Sequence, residues 1–202
     1  MSAATPIVGG YSGFFPILAD DESHAHRDAL RAALMALPSG EGSLFSRTRL
    51  VHGARMFVLA DAVYNGRPSR EEHFAHAYLA VSITFDGPLA TMCAAVAANG
   101  AAEFLALFSH CHGCPATADA ATVLGYFEAC RIDPSFLYVD TDASLEDVLA
   151  AIRRHALIAD LVLQGQGKPA AERKALVRNL AAEIAALPKT EPGGFTAWGA
   201  TP

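Results

Sequence analysis

"AYLAVSITF", residues 77–85, decides the fold. Leu79, Val81, Ile83 and Phe85 fall on one side, while Tyr78, Ala80, Ser82 and Thr84 fall on the other. That period of two is the signature of a strand with one buried face. The apolar side requires helices against it. The other side is neither charged enough for open water nor apolar enough for a dry core, which suits a semi-polar cavity or a second subunit.

Upstream, "RTRLVHGARMFVLAD" (47–61) is strand-like and Asn65-Gly66 supplies a turn signal. "IVGGYSGFFPIL" (7–18) reads as a strand with a bend. Asp20, Asp21 and Ser23 offer N-cap chemistry for a helix to about Leu37, with Leu30, Ala33, Leu34 and Leu37 on its apolar face. Downstream, Asp86-Gly87-Pro88 opens an Ala-rich helix to about His110, broken at Asn99-Gly100. A helix over Thr117 to Cys130 and a short strand at "SFLYVD" (135–140) follow. Ser144 with Asp147 then opens a helix through about Leu163. Past Gly165 and Gly167, residues 170–187 form an amphipathic helix, and the tail beyond is irregular.

The order strand, helix, strand, strand, helices, strand, helix is the split βαβ or ferredoxin-like pattern of an α+β fold with an antiparallel sheet. Residues 1–167 form that domain, and 168–202 are an extension of it. Helices cover one face of such a sheet, so the other face is expected to meet a second copy in a homodimer.

The 202 residues are 52% hydrophobic and 18% charged, with a mean hydropathy of +0.25. A net charge of −6 and the lack of a Lys/Arg cluster argue against nucleic acid and against anionic membrane surfaces. The first residues lack the basic and apolar regions of a signal peptide, and apolar runs are interrupted short of a membrane span. Four cysteines without an export signal imply reduced thiols, so the cytoplasm is the expected compartment.

Two constellations can carry chemistry. In "LFSHCHGCPA" (107–116), Cys111 and Cys114 form a C-x-x-C, which admits a thiol-redox pair or, with His110 and His112, part of a zinc site. The spacing equally fits buried small hydrophobes at a helix end, with the histidines bonded to terminal carbonyls. In "LVHGARMFV", His52 and Arg55 point to opposite faces under strict alternation, and a bulge at Gly53 would bring them together. An arginine among apolar strand residues needs a carboxylate, a propionate or a partner subunit, and Asp61 and Asp86 are the nearest candidates. His24 and His26 read as solvated residues at a helix start, His73 and His76 as a polar loop, His155 as a surface or interface residue, and Asp86 as an N-cap.

The segments "LVHGARMFVLAD", "AYLAVSITFDGPL" and "LFSHCHGCP" resemble a family of poorly characterised bacterial proteins over roughly residues 28–150. That family's pattern is T-H-F-A-R, F-D-G and H-C-x-G-aromatic-P. His52, Ala54, Arg55, Asp86, Gly87, His110, Cys111, Gly113 and Pro115 fall on it, while Gly53 and Cys114 stand where aromatics are usual. The Cys114 departure makes the C-x-x-C incidental.

The fold this resemblance implies is the dimeric α+β barrel, whose haem-binding branch includes dye-decolourising peroxidases and chlorite dismutases. It implies haem with His110 or His52 as axial ligand, Arg55 stabilising charge on a departing oxygen and Asp86 handling a proton. The peroxidases' G-x-x-D-G motif is half present, because Ile83 occupies the first glycine position. The leading expectation is thus an oxidoreductase, peroxidase-like, holding haem or a small organic ligand in a semi-polar pocket of the sheet. The alternatives are a non-catalytic ligand-binding or assembly module, and a thiol-redox or zinc site at Cys111 and Cys114.

Overall fold

A computed structural model describes residues 8–19, 24–38, 40–62, 66, 73–133 and 143–187. It is an α+β protein with a three-stranded antiparallel sheet and six α-helices among those residues. The contacts divide it into two compact units, residues 1–139 and 140–202.

In the first unit, β1 (Val8–Pro16), β2 (Val51–Leu59) and β3 (Tyr78–Asp86) form a sheet in the order β1-β3-β2. β1 and β2 both run antiparallel to the central β3. The alternation of residues 77–85 holds, with Leu79, Val81, Ile83 and Phe85 all buried. On the free edge of β1, Arg131 bridges Gly13, and the Ile132 N–H donates to the Ser12 carbonyl at 2.8 Å. The strand expected at 135–140 lies outside the described residues.

The helices cover the inner face. α1 (Ala25–Met35) buries Leu30 and packs Ala33 and Leu34 on the core. It starts after His24 in the left-handed conformation, with no side-chain cap. The caps expected from Asp20, Asp21 and Ser23 lie outside the described residues. Residues 47–50 do not belong to the second strand as expected. A five-residue helix, α2 (Leu44–Thr48), is capped by Ser43 and precedes it, so the strand begins at Val51.

α3 (Leu89–Phe108) and α4 (Ala120–Ala129) complete the core. Pro88 rather than Asp86 is the N-cap of α3, and Asp119 caps α4 through the Ala121 and Thr122 N–H groups. α3 is long and apolar enough to cross a bilayer, yet Met92, Cys93, Val96, Phe104, Leu107 and Phe108 are buried in the core. The expected break at Asn99-Gly100 is a kink at Gly100, which has non-helical dihedrals. A Cβ there would lie 1.7 Å from Leu44 Cδ1, so only glycine lets α2 seat against α3. Arg47 locks the contact by pairing with Glu103 and donating to the Asn99 carbonyl at 3.2 Å.

The core centre is aromatic. Phe15 meets Phe108 edge-on at 4.8 Å between centroids, and Tyr11 lies 4.8 Å from Phe127 while donating to its carbonyl at 2.8 Å. Full burial of each such ring contributes roughly 1.5–3 kcal/mol.

The second unit contains α5 (Leu145–Gly165) and α6 (Ala170–Ala186). Ser144 caps α5 by accepting from the Asp147 N–H, as its sequence implies. α5 and α6 pack on each other across the Gly165–Gly167 turn. Ala150 is the one fully buried residue described in this unit. The tail beyond 187 lies outside the described residues.

Candidate functional site

The face of the sheet away from the helices carries the candidate site. Cross-strand register arranges it in rows: Gly10, Thr84 and Gly53; Ser12, Ser82 and Arg55; Phe14, Ala80 and Phe57; Pro16, Tyr78 and Leu59. In the third row, Phe14 and Phe57 are 41% and 46% exposed, and their rings shield Ala80 to 3%. Phe14 and Phe74 each lie 5.8 Å from the Tyr78 ring, which extends this aromatic shelf. The adjoining row, Ser12, Ser82 and Arg55, carries the exposed Arg55 at its β2 end, beside Ser82.

A bulge joins the two halves of the site. Val51 pairs with Phe85 and Gly53 with Thr84, so His52 is the extra residue between them. Its Nε2 lies 2.7 Å from an Asp86 carboxylate oxygen. Asp86 follows Thr84 by two positions on β3 and shares its face. The insertion thereby brings His52 to the side that bears Arg55, which strict alternation would forbid. His52 and Asp86 are largely buried, at 15% and 17% side-chain exposure.

Neither expected carboxylate partner pairs with Arg55. Asp86 is bonded to His52, and Asp61 binds His73 Nδ1 at 2.7 Å plus the Ala62 and Phe74 N–H groups. The His73 bond and those two N–H bonds hold the Asp61 carboxyl down at about 2. Among the described residues, Arg55 forms no ion pair.

The "HCHGC" stretch directly follows the C-cap of α3, Ser109, and the Cys111 N–H donates to the Phe108 carbonyl at 2.8 Å. α3 stops at Phe108, and Cys111 forms an antiparallel bridge with Ile17 just beyond β1. The Leu18 N–H donates to the His110 carbonyl at 2.9 Å, and the His112 N–H to the Pro16 carbonyl at 2.8 Å. Cys111 is buried, and that burial pushes its thiol up to about 12; Cys114 is half-buried, and its thiol is raised by the same cause. Both shifts oppose formation of the thiolate that redox or zinc chemistry needs.

Two pairs of histidines meet beside this stretch. His110 Nδ1 lies 3.1 Å from His26 Nδ1, and the His76 and His112 rings are 5.4 Å apart. His26 is therefore not merely solvated, and His76 is more than a polar loop residue. Their convergence depends on β1, β3 and the post-α3 segment meeting at one sheet end, which spacing alone does not reveal. No group of three or more His, Cys, Asp or Glu positioned for a metal ion occurs among the described residues.

No family model, curated protein or solved structure matches the chain.

Proposed function

We propose that the open sheet face binds a planar organic acid. The flat body would lie on the Phe14–Ala80–Phe57 shelf, its carboxylate on Arg55, with the His52–Asp86 pair as acid–base group at the edge. The observation that carries this reading is an arginine without an ion-pair partner among the described residues, one row from an exposed aromatic shelf. A guanidinium recognises a carboxylate in a bidentate fork, and exposed rings offer a stacking surface. The sheet order β1-β3-β2 and the segment 130–132 on the β1 edge support the ferredoxin-like arrangement. In that arrangement a second copy laid sheet to sheet would close the face, as in the dimeric α+β barrels.

Haem belongs to this ligand class through its plane and propionates. As iron ligand, however, His52 fits poorly, because its Nε2 is engaged by Asp86. His110, whose Nδ1 lies 3.1 Å from His26 Nδ1, is the residue that would hold the iron. The peroxidase-like oxidoreductase reading therefore rests on His110 and on the family resemblance. Haem, when bound, would supply the redox chemistry, while this chain's Arg55 and His52–Asp86 would supply charge stabilisation and a proton.

Parallel absorbance titrations with hemin and with metal-free protoporphyrin IX test both parts. The expected result is saturable binding of both, weakened about tenfold in Arg55→Ala, the loss of one charge-assisted contact. A hemin Soret shift lost in His110→Ala supports iron ligation. Equal behaviour of the two porphyrins leaves a planar-acid binder without haem chemistry. Failure of both to bind, or indifference to Arg55→Ala, overturns the proposal.

A further inference from the structure

α5 carries two apolar stripes on opposite sides. One, through Ala150, Leu157 and Leu161, consists of residues that are buried or half-buried. The other runs through Leu145, Leu149, Ile152, Ala156, Ala159 and Leu163. Its steps are 4, 3, 4, 3 and 4 residues, the spacing of a coiled-coil seam. Leu145 is half-buried, but the rest are exposed, Ile152 to 60% and Leu163 to 66%. A seam about 28 Å long with leucine and isoleucine facing water calls for a cover.

The sizes of the residues say what the cover is. In an antiparallel pairing of two copies about a two-fold axis, Leu145 meets Leu163, Leu149 meets Ala159, and Ile152 meets Ala156. Every small residue then faces a large one, as close packing requires. In a parallel, in-register pairing, Ala156 and Ala159 would meet their own copies, leaving a gap beside Ile–Ile and Leu–Leu layers. The seam is complementary to itself read backwards, which is the property of an isologous interface.

We infer that α5 is a self-association helix that pairs antiparallel with α5 of a second copy through this seam. Val148 and Val162 flank it on one edge and widen the contact; Glu146, Arg153 and Asp160 line the other edge and remain hydrated. The inference is independent of ligand binding on the sheet face.

Sedimentation velocity on the full chain, over a range of concentrations, tests it. The wild type is expected to associate, and Ile152→Asp to halve its mass with unchanged far-UV circular dichroism. Leu163→Gln, at the seam's end, provides a milder version should Ile152→Asp lose helix. Ala156→Leu decides orientation, because leucine is a strong helix former and keeps the helical propensity of α5 high. It overpacks the layer against Ile152 in the antiparallel pair and is expected to weaken association at least about tenfold. A wild type that stays monomeric, a mass insensitive to Ile152→Asp and Leu163→Gln, or tighter association in Ala156→Leu would each overturn the inference.

Discussion

His52 and Asp86 are held together across β2 and β3 at 2.7 Å because one residue too many stands between Val51 and Gly53. The bulge does two things at once. It puts an imidazole on the face where Arg55 stands, and it engages the carboxylate at the end of β3. In a mostly buried setting such a bond is worth about 1 kcal/mol or somewhat more. A double-mutant cycle of His52→Ala and Asp86→Asn, read by urea denaturation, is expected to show coupling of that size. Additive effects would mean that the pair does not hold the bulge.

Gly100 is the hinge of α3 for steric reasons rather than for its dihedrals. Gly100→Ala would drive a methyl group into Leu44, and is expected to destabilise the protein by about 1–3 kcal/mol. Trimming Leu44 to Ala in the same chain should recover part of that loss, although it gives up core contacts of its own. Thermal denaturation of the single and double variants measures both.

The Asp61 carboxylate sets an acid response. Its folded value, about 2, lies below its ordinary value of 3.8. The stabilisation is therefore complete above about pH 4 and disappears as pH falls through about 2. In Asp61→Asn the Ala62 and Phe74 amides are expected to lose their acid titration in NMR spectra. Amides that still titrate in that variant would place the response elsewhere.

Burial ranks the four thiols. Cys93 and Cys111, each pushed up to about 12, are expected to react with a thiol reagent only on unfolding, whereas half-buried Cys114 and Cys130 react first. Mass spectrometry of partially labelled protein gives the order. Rapid labelling of Cys111 in the folded chain would return the redox reading to consideration.

Much of the fold was legible because it depends on local periodicity. The alternation at 77–85, the breaks at Gly100 and Gly165–Gly167, and the Ser144 cap all lie where their residues imply. Even the His52–Arg55 relation was readable as a condition, since a bulge at Gly53 would bring them together, and the register shift falls between Val51 and Gly53. What local pattern could not supply were pairings set by tertiary register. The short α2 helix overlapping the start of a strand-like run, Asp86 bonded to His52, and His26 meeting His110 are of this kind. Composition was equally silent on Ala80, which is shielded only because Phe14 and Phe57 flank it on neighbouring strands.

The most direct measurement of the proposed site is a map of amide shift changes while protoporphyrin IX is titrated into the labelled protein. The expected perturbations gather on Ser12, Phe14, Arg55, Phe57 and Ser82, the two central rows of the open sheet face. Shifts confined to the groove at the α5–α6 turn, lined by Leu161, Gly165, Arg173 and Val177, would contradict the account.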